Sequence, residues 1–431
     1  MEIIKYPPRT EWAYLAERAL ADEAEEVARK VSNIMARVKA EGDNALREYE
    51  LTFTKAKLTD LKVSDREIEE SAALISEDLR IAIADAADNI AKFHSAQMMK
   101  GPITVETMPG VVCSQRAVPV DSVGLYIPGG NSPLFSTVLM LAVPAKIAGC
   151  RHVTLCTPAR PDGTVHPAIL YAAKTAGVKS IFKTGGAQAV AAMAFGTDSI
   201  ARVDKIFGPG NRYVMEAKQQ AAQSGTAIDM PAGPSEVLVI ADDNANPEFV
   251  AADFLSQAEH GPDSQSILLT TSERLAKCLP EVIERLLNEL PRQDMMRKSL
   301  SHSRIILFHD DEEMMEFSNM YAPEHLIVNH RNAEKLCSSV RNAGSVFIGE
   351  WSPESVGDYA SGTNHTLPTS GYAKAYSGVN LDSFMKKITF QRLTPEGISN
   401  IGRTVEIMAE NEDLMAHRLA VSLRLNSLKN S

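Results

Sequence analysis

Residues 123–156, VGLYIPGGNSPLFSTVLMLAVPAKIAGCRHVTLC, have the pattern of a complete strand–helix–strand unit. The short apolar runs VGLYI (123–127) and HVTLC (152–156) are typical of buried strands. The segment between them joins a glycine-rich turn to an apolar stretch with helical composition. Because two neighbouring parallel strands need a crossover connection, and a helix is the usual one, the stretch predicts a βαβ unit.

The same alternation of strand-like and helical segments continues toward the C-terminus. Further strand-like runs are SIFK (180–183), DKIF (204–207), EVLVIA (236–241), SILLTT (266–271), RIILF (304–308), LIV (326–328) and SVFIG (345–349). Strands that alternate with helices build parallel sheets. The sequence therefore predicts an α/β fold with two parallel-sheet layers of related build.

Both ends of the chain have helical patterns. Residues 11–50 and 65–100 are rich in Ala, Glu, Leu, Arg and Ile at helical spacing, and the chain after residue 380 is also predicted to be helical. The last segment carries two apolar rows, which are Leu414, Val421, Leu425 and Leu428, and Met415, Leu419 and Leu423. These rows need a surface to pack on, either the chain's own core or a partner subunit.

The composition excludes several classes of protein. The chain has 431 residues, 44% hydrophobic and 23% charged, which is typical of a globular protein. The net charge of −11 argues against a nucleic-acid-binding surface. Five scattered cysteines without a Cys-x-x-Cys pair favour reduced thiols over a disulfide framework. With no signal-peptide core in MEIIKYPPRTEWAYL and no apolar stretch long enough for a bilayer, we expect a cytoplasmic protein.

Glycine-rich loops follow four of the predicted strands, and their sequences are YIPGGNSP, KTGGAQA, FGPGNRY and DMPAGPSE. Ligands of open α/β sheets bind at the carboxyl ends of strands, where these loops lie. Gly129-Gly130, Gly185-Gly186 and Gly208-Pro209-Gly210 let the backbone approach a ligand, and each precedes a predicted helix N-terminus that could face an anion. Tight turns without a ligand would use the same residues, so the loops predict a ligand-binding enzyme and leave the ligand open.

The stretch DFLSQAEHGPDS (253–264) ends a predicted helix with two metal-capable side chains. Asn246-Pro247 is typical of a helix start, and Gly261-Pro262 of a helix end. Gln257 and His260 are three residues apart and therefore leave the same helical face. Two interpretations fit this pair. Either it binds a metal, or His260 interacts only with the carbonyls of the last turn.

Three further polar pairs lie where neither a core nor a plain surface requires them. They are Glu324 with His325 in MYAPEHLIVNH, Asp358 with His365 in WSPESVGDYASGTNHTLPT, and Glu412 with His417 in AENEDLMAH. Adjacent strand residues point to opposite faces, so the first pair can serve one site only from the loop opened by Pro323. The third pair would lie about 140° apart on one helix, and His417 could equally be a core histidine.

Four of these side chains could together hold a metal ion. Gln257, His260, Asp358 and His417 offer nitrogen and oxygen ligands, which suit zinc or a similar divalent ion. Glutamine is an unusual zinc ligand, and each residue also has an ordinary structural interpretation. The residues alone therefore leave the metal open.

The chain resembles the histidinol dehydrogenase family over essentially its whole length. The matching blocks are VGLYIPGG, LFSTVLMLAVPAKIAGC, GGAQAVAAMAFGT, VDKIFGPGN, IDMPAGPSEVLVIAD, LSQAEHGPDSQ, APEHL, SPESVGDYASGTNHTLPT and AHRLAVSLRLN. The first 100 residues match only loosely, and no functional residue is carried over there. The resemblance implies a zinc-dependent, NAD-linked oxidation of L-histidinol through L-histidinal to L-histidine, the last step of histidine biosynthesis.

The resemblance also implies a role for each polar residue. The zinc ligands, with one zinc per subunit, are Gln257, His260, Asp358 and His417. His417 would come from the other subunit of an intertwined homodimer, which would explain the apolar rows at the end of the chain. The same four residues contact substrate in the family, together with Ser235, His325, His365 and Glu412. The residues at the NAD-contacting positions are Tyr126, Gln188 and Asn211.

The domain arrangement implied by the resemblance has two related α/β domains with helical segments at both ends. Residues 1–20 form an N-terminal helical segment. Residues 21–121 together with 236–379 form a first α/β domain that carries the zinc site, and residues 122–235 form a second that carries the NAD contacts. Residues 380–431 form a C-terminal helical segment that packs on the partner subunit.

The residue types suit this chemistry. A hydride leaves the carbinol carbon only as the hydroxyl proton is removed, and His325 is the candidate base. The aldehyde must add water before a second hydride can leave, and Glu324 is the candidate base for that water. Zinc would act as a template for the imidazole and amino nitrogens of the substrate.

Three other functions fit parts of the sequence. A sister dehydrogenase on the same scaffold could oxidise a different alcohol, such as a sulfonated diol. Glu412 and His365 argue against it, because they suit a cationic amine-imidazole substrate and the carboxylate would repel a sulfonate. A zinc hydrolase would need an open metal site and no nicotinamide. A non-catalytic binding protein would not need Glu324, His325 and the ligand set together.

Overall fold

The computed structural model describes residues 1–18, 24–129 and 132–430. Its strands are β1 Glu2–Lys5, β2 Ile103–Met108, β3 Val111–Pro119, β4 Ser122–Tyr126, β5 His152–Thr157, β6 Ser180–Lys183, β7 Lys205–Phe207, β8 Ala227–Ile228, β9 Glu236–Ala241, β10 Gln265–Thr270, β11 Arg304–Leu307, β12 His325–Asn329, β13 Ser345–Ile348 and β14 Met385–Leu393. The chain forms two compact units. The first consists of Met1–Ala96 with Val120–Ser383, and the second of Gln97–Pro119 with Phe384–Ser431.

Helices connect most of these strands. The α-helices are α1 Trp12–Leu15, α2 Ala24–Glu41, α3 Asp43–Phe53, α4 Asp65–Glu70, α5 Glu77–Ser95, α6 Phe135–Ala148, α7 Pro167–Ala176, α8 Gly186–Phe195, α9 Arg212–Gln223, α10 Pro247–Ala258, α11 Glu273–Leu287, α12 Gln293–Ser301, α13 Asp311–Tyr321, α14 Ala333–Cys337, α15 Glu354–Tyr359, α16 Pro395–Asn411 and α17 Met415–Lys429. Short 3-10 helices span Arg9–Glu11, Ser71–Leu74, Tyr372–Lys374 and Leu381–Phe384.

A five-stranded parallel sheet in the first unit has the strand order β6-β5-β4-β7-β8. The crossover helix α6 is buried along nearly its whole length, which explains the unbroken apolar composition of its sequence. Helices α2, α8 and α9 pack against one another in a core of small and apolar side chains. The order of strand addition reverses between β4 and β7, and such a switch point is where open α/β sheets bind ligands.

A six-stranded parallel sheet in the same unit has the order β1-β11-β10-β9-β12-β13. Every residue of β9, β10 and β12 is buried, because apolar cores lie on both faces of the sheet. Helix α10 joins β9 to β10 and therefore ends at the amino edge of the sheet. His325 begins β12 at that same edge.

The second unit pairs an antiparallel sheet with two helices. Its strand order is β14-β3-β2, and β14 has no buried residue. Helices α16 and α17 pack on each other. Within the described chain, α17 also lacks buried residues, and Leu414, Met415, Leu419 and Leu423 are each more than two-fifths exposed. The row of Met415, Leu419 and Leu423 is therefore uncovered in a single chain, whereas Val421, Leu425 and Leu428 of the other row are half-buried.

The predicted α/β fold with two parallel sheets is confirmed, and every strand predicted from the sequence is present. The structure adds β1 to the N-terminal segment and β14 to the C-terminal segment, both of which we expected to be helical. Both strands are mostly exposed and therefore lack the apolar runs by which the other strands were recognised. The domain boundaries stay a prediction. Among the described residues, no helix combines the length and apolarity that crossing a membrane requires.

A buried ion pair holds the loop after β7. Lys218 in α9 and Asp229 form this pair with side chains that are each only 1% exposed. The Gly208 amide donates to Asp229 Oδ2 at 2.8 Å, and Lys218 Nζ donates to the Gly208 carbonyl at 2.9 Å. Gly208 has a φ of +131°, and an added Cβ would lie 2.2 Å from the carbonyl oxygen of Tyr126. The loop is therefore held closely against the end of β4.

We predict that Lys218→Met lowers the free energy of unfolding by about 3–5 kcal/mol, because it leaves Asp229 buried and unpaired. Arg66→Met is the matched control, since Arg66 pairs with Glu70 on the exposed face of α4 and its loss should cost less than about 1 kcal/mol. Urea unfolding followed by circular dichroism measures both. Equal losses in the two variants would show that the buried pair does not stabilise the loop.

Candidate active site

Helix α10 delivers two of the expected ligands to the amino edge of the six-stranded sheet. It begins as predicted, with Asn246 Oδ1 accepting from the Glu248 amide at 2.9 Å and Pro247 in the first turn. Gln257 lies in the last turn and is fully buried, and neither of its amide atoms has a hydrogen-bond partner among the described residues. His260 follows the helix end, with 43% of its side chain exposed. The buried amide of Gln257 therefore lacks the polar contacts that a purely structural glutamine needs.

Helix α15 brings two carboxylates to His260. His260 Nε2 lies 3.7 Å from Asp358 Oδ2 and 3.8 Å from Glu354 Oε1. One potential ligand atom from each of these three residues lies within 4.8 Å of the other two. Neither oxygen of Glu354 has a hydrogen-bond partner in the described part of the chain, although its side chain is only 1% exposed. The arrangement is suitable for a divalent cation.

Glu324 and His325 contact this cluster from the start of β12. Glu324 Oε2 accepts from the Glu236 amide at 2.9 Å, which orients the carboxylate, and lies 3.6 Å from His325 Nδ1. His325 Nδ1 is also 3.7 Å from Glu354 Oε1, and its Nε2 is 3.5 Å from Asp358 Oδ1. The position of Glu324 directly before the strand allows both neighbours to serve one site.

The cluster carries unbalanced negative charge. Burial alone would lower the pKa of His325, but the carboxylates of Glu354, Glu324 and Asp358 raise it to about 10. Burial raises the pKa of Glu324 to about 7 and also raises that of Glu354. Burial opposes ionisation of Asp358 too, yet the imidazoles of His260 and His325 hold its pKa below the usual range. Three carboxylates thus face two imidazoles, so further positive charge would stabilise the site.

His365 contacts a residue of this cluster, and Ser235 is next in the chain to a residue that does. His365 Nδ1 donates to the carbonyl oxygen of Asp358 at 2.8 Å, and its Nε2 is 3.1 Å from Thr137 Oγ1. Because burial lowers its pKa, His365 is a neutral imidazole that accepts from the threonine hydroxyl. Ser235 precedes Glu236, whose amide holds Glu324. Both residues are therefore next to groups that belong to the cluster.

The expected NAD-contacting residues lie at the carboxyl edge of the five-stranded sheet. Tyr126 ends β4, and its hydroxyl accepts from the Gly186 amide at 3.2 Å. Burial raises the pKa of Tyr126 to about 12, so its phenol stays neutral. Asn211 caps α9 by accepting from the amides of residues 213 and 214. Tyr126 and Asn211 follow β4 and β7, the two strands of the switch point, while Gln188 lies in the first turns of α8. Gly130 of the first glycine loop lies outside the described residues.

Glu412 and His417 belong to the second unit. The expectation that they lie about 140° apart on one helix is wrong, because α16 ends at Asn411 and α17 begins at Met415. Asp413, with a φ of +57°, interrupts the helical backbone between them. His417 is exposed, so the alternative of a core histidine is also wrong.

Two buried acids near these sites, Glu354 and Glu50, were missed from the sequence. Glu354 lies four residues before Asp358, and that spacing on a short helix would have placed both on one face. Glu50 of α3 accepts from Gln188 Nε2 at 3.2 Å. No local signal indicates this contact, because Glu50 lies in the loosely matching N-terminal region, far from Gln188 in the chain.

Comparison with known proteins identifies the family. The profile described as histidinol dehydrogenase matches residues 17–425. Histidinol dehydrogenase of Bacteroides fragilis is 57% identical over 429 residues, covering 100% of both chains. That of Escherichia coli is 55% identical over 408 residues, covering 94% of this chain and 93% of the other. The crystal structure of histidinol dehydrogenase from Elizabethkingia anophelis has a TM-score of 0.96 and 54% identity, covering 100% of this chain and 99% of that chain. The chain therefore belongs to the histidinol dehydrogenase family.

Proposed function

We propose that this protein oxidises L-histidinol through L-histidinal to L-histidine, with NAD accepting a hydride in each step and zinc bound at the site. The observation that carries the proposal is the cluster of His260, Glu354 and Asp358 beside His325, with the buried amide of Gln257 three residues before His260. Membership of the histidinol dehydrogenase family supports the substrate and the reaction. A cluster rich in carboxylates also disfavours an anionic alcohol such as a sulfonated diol.

The residues present fit a zinc ion. Gln257 and Glu354 hold buried polar atoms that lack partners in the described chain, and a cation would satisfy such oxygens and offset the excess of carboxylates. We infer that Gln257, His260 and Asp358 hold the metal from one chain. When bound, zinc supplies a template that orients the imidazole and amino nitrogens of the substrate. An alcohol that lacks either nitrogen would lose a contact, which accounts for selectivity.

A homodimer would complete the site. Helix α17 has no buried residue in the described chain, and its apolar rows are suited to packing on a second copy. In the first unit, Trp351 lies three residues before Glu354 and its side chain is 79% exposed. We infer that α16 and α17 of one subunit cover this surface of the other and supply His417 as a ligand and Glu412 as a substrate contact. The five cysteines are thiols and not disulfides, which supports a reducing, cytoplasmic location.

His325 is the base for the alcohol in this proposal. Its Nδ1 lies between Glu324 Oε2 and Glu354 Oε1, which leaves Nε2, on the side of Asp358, to accept the hydroxyl proton. The carboxylates of Glu354, Glu324 and Asp358, which raise the pKa of His325 against the effect of burial, stabilise the imidazolium that results. A bound zinc ion would offset these carboxylates, so that the imidazole is neutral before it accepts the proton. Hydride departs to NAD as the proton leaves the oxygen.

Glu324 is the base for water in the second half of the reaction. Its carboxylate is oriented by the Glu236 amide, and burial brings its pKa to about 7, which suits a group that exchanges protons near neutral pH. It removes a proton from water as the water adds to the aldehyde. His325 returns its proton to the aldehyde oxygen during this addition and then accepts the hydroxyl proton of the hydrate while the second hydride leaves to a second NAD.

We predict that His260→Ala and His417→Ala lose zinc and activity together while the fold persists. Zinc content measured by mass spectrometry should fall from about one per subunit to near zero. Affinity should also fall as the pH drops, beginning above the ordinary imidazole pKa of about 6.5, because only neutral imidazoles bind the metal and, against the effect of burial, Asp358 and Glu354 raise the pKa of His260. His152→Ala, at an exposed position at the start of β5, is the control and should keep its zinc. Stoichiometric zinc in both ligand variants would refute the ligand assignment.

We predict that mixing His417→Ala chains with His260→Ala chains restores activity. Each heterodimer then has one intact composite site, so random exchange should recover about a quarter of the wild-type activity. Refolding the two chains together and assaying NADH formation measures this. Absence of recovery in confirmed heterodimers would contradict a site shared between subunits.

We predict that Glu324→Gln damages the second oxidation selectively. The amide keeps the size of the side chain but cannot take a proton, so NADH formation from supplied histidinal should fall by about two to four orders of magnitude. The first hydride transfer from histidinol should survive. His325→Gln is the comparison and should slow both halves. Single-turnover assays with each substrate separate the steps, and equal damage to both by Glu324→Gln would remove its role as the base for water.

A further inference from the structure

Glu50 is a buried acid at the carboxyl edge of the five-stranded sheet. Its side chain is fully buried in α3, and Oε1 accepts from the Gly185 amide at 2.8 Å and from Gln188 Nε2 at 3.2 Å. Oε2 is 3.2 Å from the hydroxyl of Thr54, which donates to it. In the described part of the chain, no lysine or arginine forms an ion pair with this carboxylate. Glu50 is thus held by hydrogen bonds alone.

Such an acid costs stability, which argues for a role beyond packing. Burial raises the pKa of Glu50 even though the Gly185 amide and the Gln188 side chain donate to it. An apolar residue of similar size would avoid this cost, because the face of α3 around Glu50 contributes Ala45 and Leu46 to an apolar core.

The carboxylate determines how Gln188 is oriented. A carboxylate only accepts hydrogen bonds when ionised, so the amide atom that faces it is the donor Nε2. Oε1 of Gln188 is left to face the glycine turn, where a Cβ added to Gly186 would lie 2.8 Å away from it. Gly186 has a φ of +62°, so a side chain here would be both strained and in contact with this oxygen.

The turn itself has little to offer an anion. The Gly185 amide donates to Glu50, and the Gly186 amide donates to the hydroxyl of Tyr126. From the sequence, we expected the N-terminus of α8 to be able to face an anion. A buried carboxylate already occupies that position, and it would repel a phosphate. The acceptor oxygen of Gln188, a residue that is 3% exposed, faces this turn.

We propose that Glu50 is a positioning residue for the dinucleotide, which fixes Gln188 so that its Oε1 accepts a hydrogen bond from a ribose hydroxyl or an N–H group of the cofactor. The phosphates of the cofactor are excluded from this turn. The inference rests on the proposed function, because it takes the cofactor to be NAD.

Two substitutions and their combination test the proposal. In Glu50→Leu, the acceptor that fixes Gln188 is lost, so the amide is free to turn and present Nε2 to the cofactor. In Gln188→Glu, two carboxylates face each other. In the double variant, this repulsion is removed, and the carboxylate at position 188 presents an oxygen to the cofactor in either orientation. Glu48→Gln is the control, since Glu48 is exposed on the same helix.

The readout is the dissociation constant for NADH from fluorescence titration, together with the KM values for NAD and histidinol and the melting temperature. We expect each single variant to bind NADH about tenfold more weakly and the double variant to return to within about threefold of the wild type. KM for NAD should follow these changes while KM for histidinol stays constant. If Glu50→Leu does not fold, Gln188→Glu and the double variant give the same comparison.

Two results would overturn the proposal. Wild-type affinity for NADH in a folded Glu50→Leu protein would show that Glu50 does not orient the cofactor contact. A double variant that regains the melting temperature without regaining NADH affinity would assign Glu50 a structural role only. A wild-type protein that does not bind NADH would instead refute the proposed cofactor, and this inference with it.

Discussion

The balance of charge at the amino edge of the six-stranded sheet is the constraint on which the site depends. Because cores cover both faces of this sheet, the groups at its edge are removed from water. Glu324, Glu354 and Asp358 nevertheless meet His260 and His325 there, and both oxygens of Glu354 lack partners among the described residues. Desolvated carboxylates at this density need a cation, and the ligand atoms around His260 offer it nitrogen and oxygen. The fold thus creates a demand for positive charge where the reaction is proposed to occur.

Two buried acids, Glu50 and Glu354, differ in their hydrogen bonding at the ligand-facing edges of the two parallel sheets. At the carboxyl edge of the five-stranded sheet, Glu50 accepts from a backbone amide, a glutamine and a threonine, so the protein itself satisfies it. At the amino edge of the six-stranded sheet, Glu354 has no hydrogen-bond donors in the described chain. We propose that the first acid orients a binding surface for the cofactor and that the second belongs to a site that a ligand completes.

The sequence predicted those parts of the structure that have a local pattern. The strands of both parallel sheets are apolar runs because helices cover them, and the start of α10 follows from Asn246-Pro247. The exposed strands β1 and β14 lack such runs, and the break between α16 and α17 depends on the positive φ of Asp413, which no residue pattern indicated. Side chains of the site followed from a family resemblance, whereas Glu50 meets Gln188 only through tertiary packing.

Anomalous X-ray diffraction at the zinc absorption edge, on crystals of the protein purified with zinc, tests the central claim most directly. We expect one strong peak per subunit, with bonds of about 2.0–2.2 Å to the His260 nitrogen and an Asp358 oxygen. Gln257 and the His417 of a second copy should complete the ligand set. A peak elsewhere, or full zinc occupancy without contact to Gln257 and Asp358, would contradict the assignment of this cluster as the metal centre.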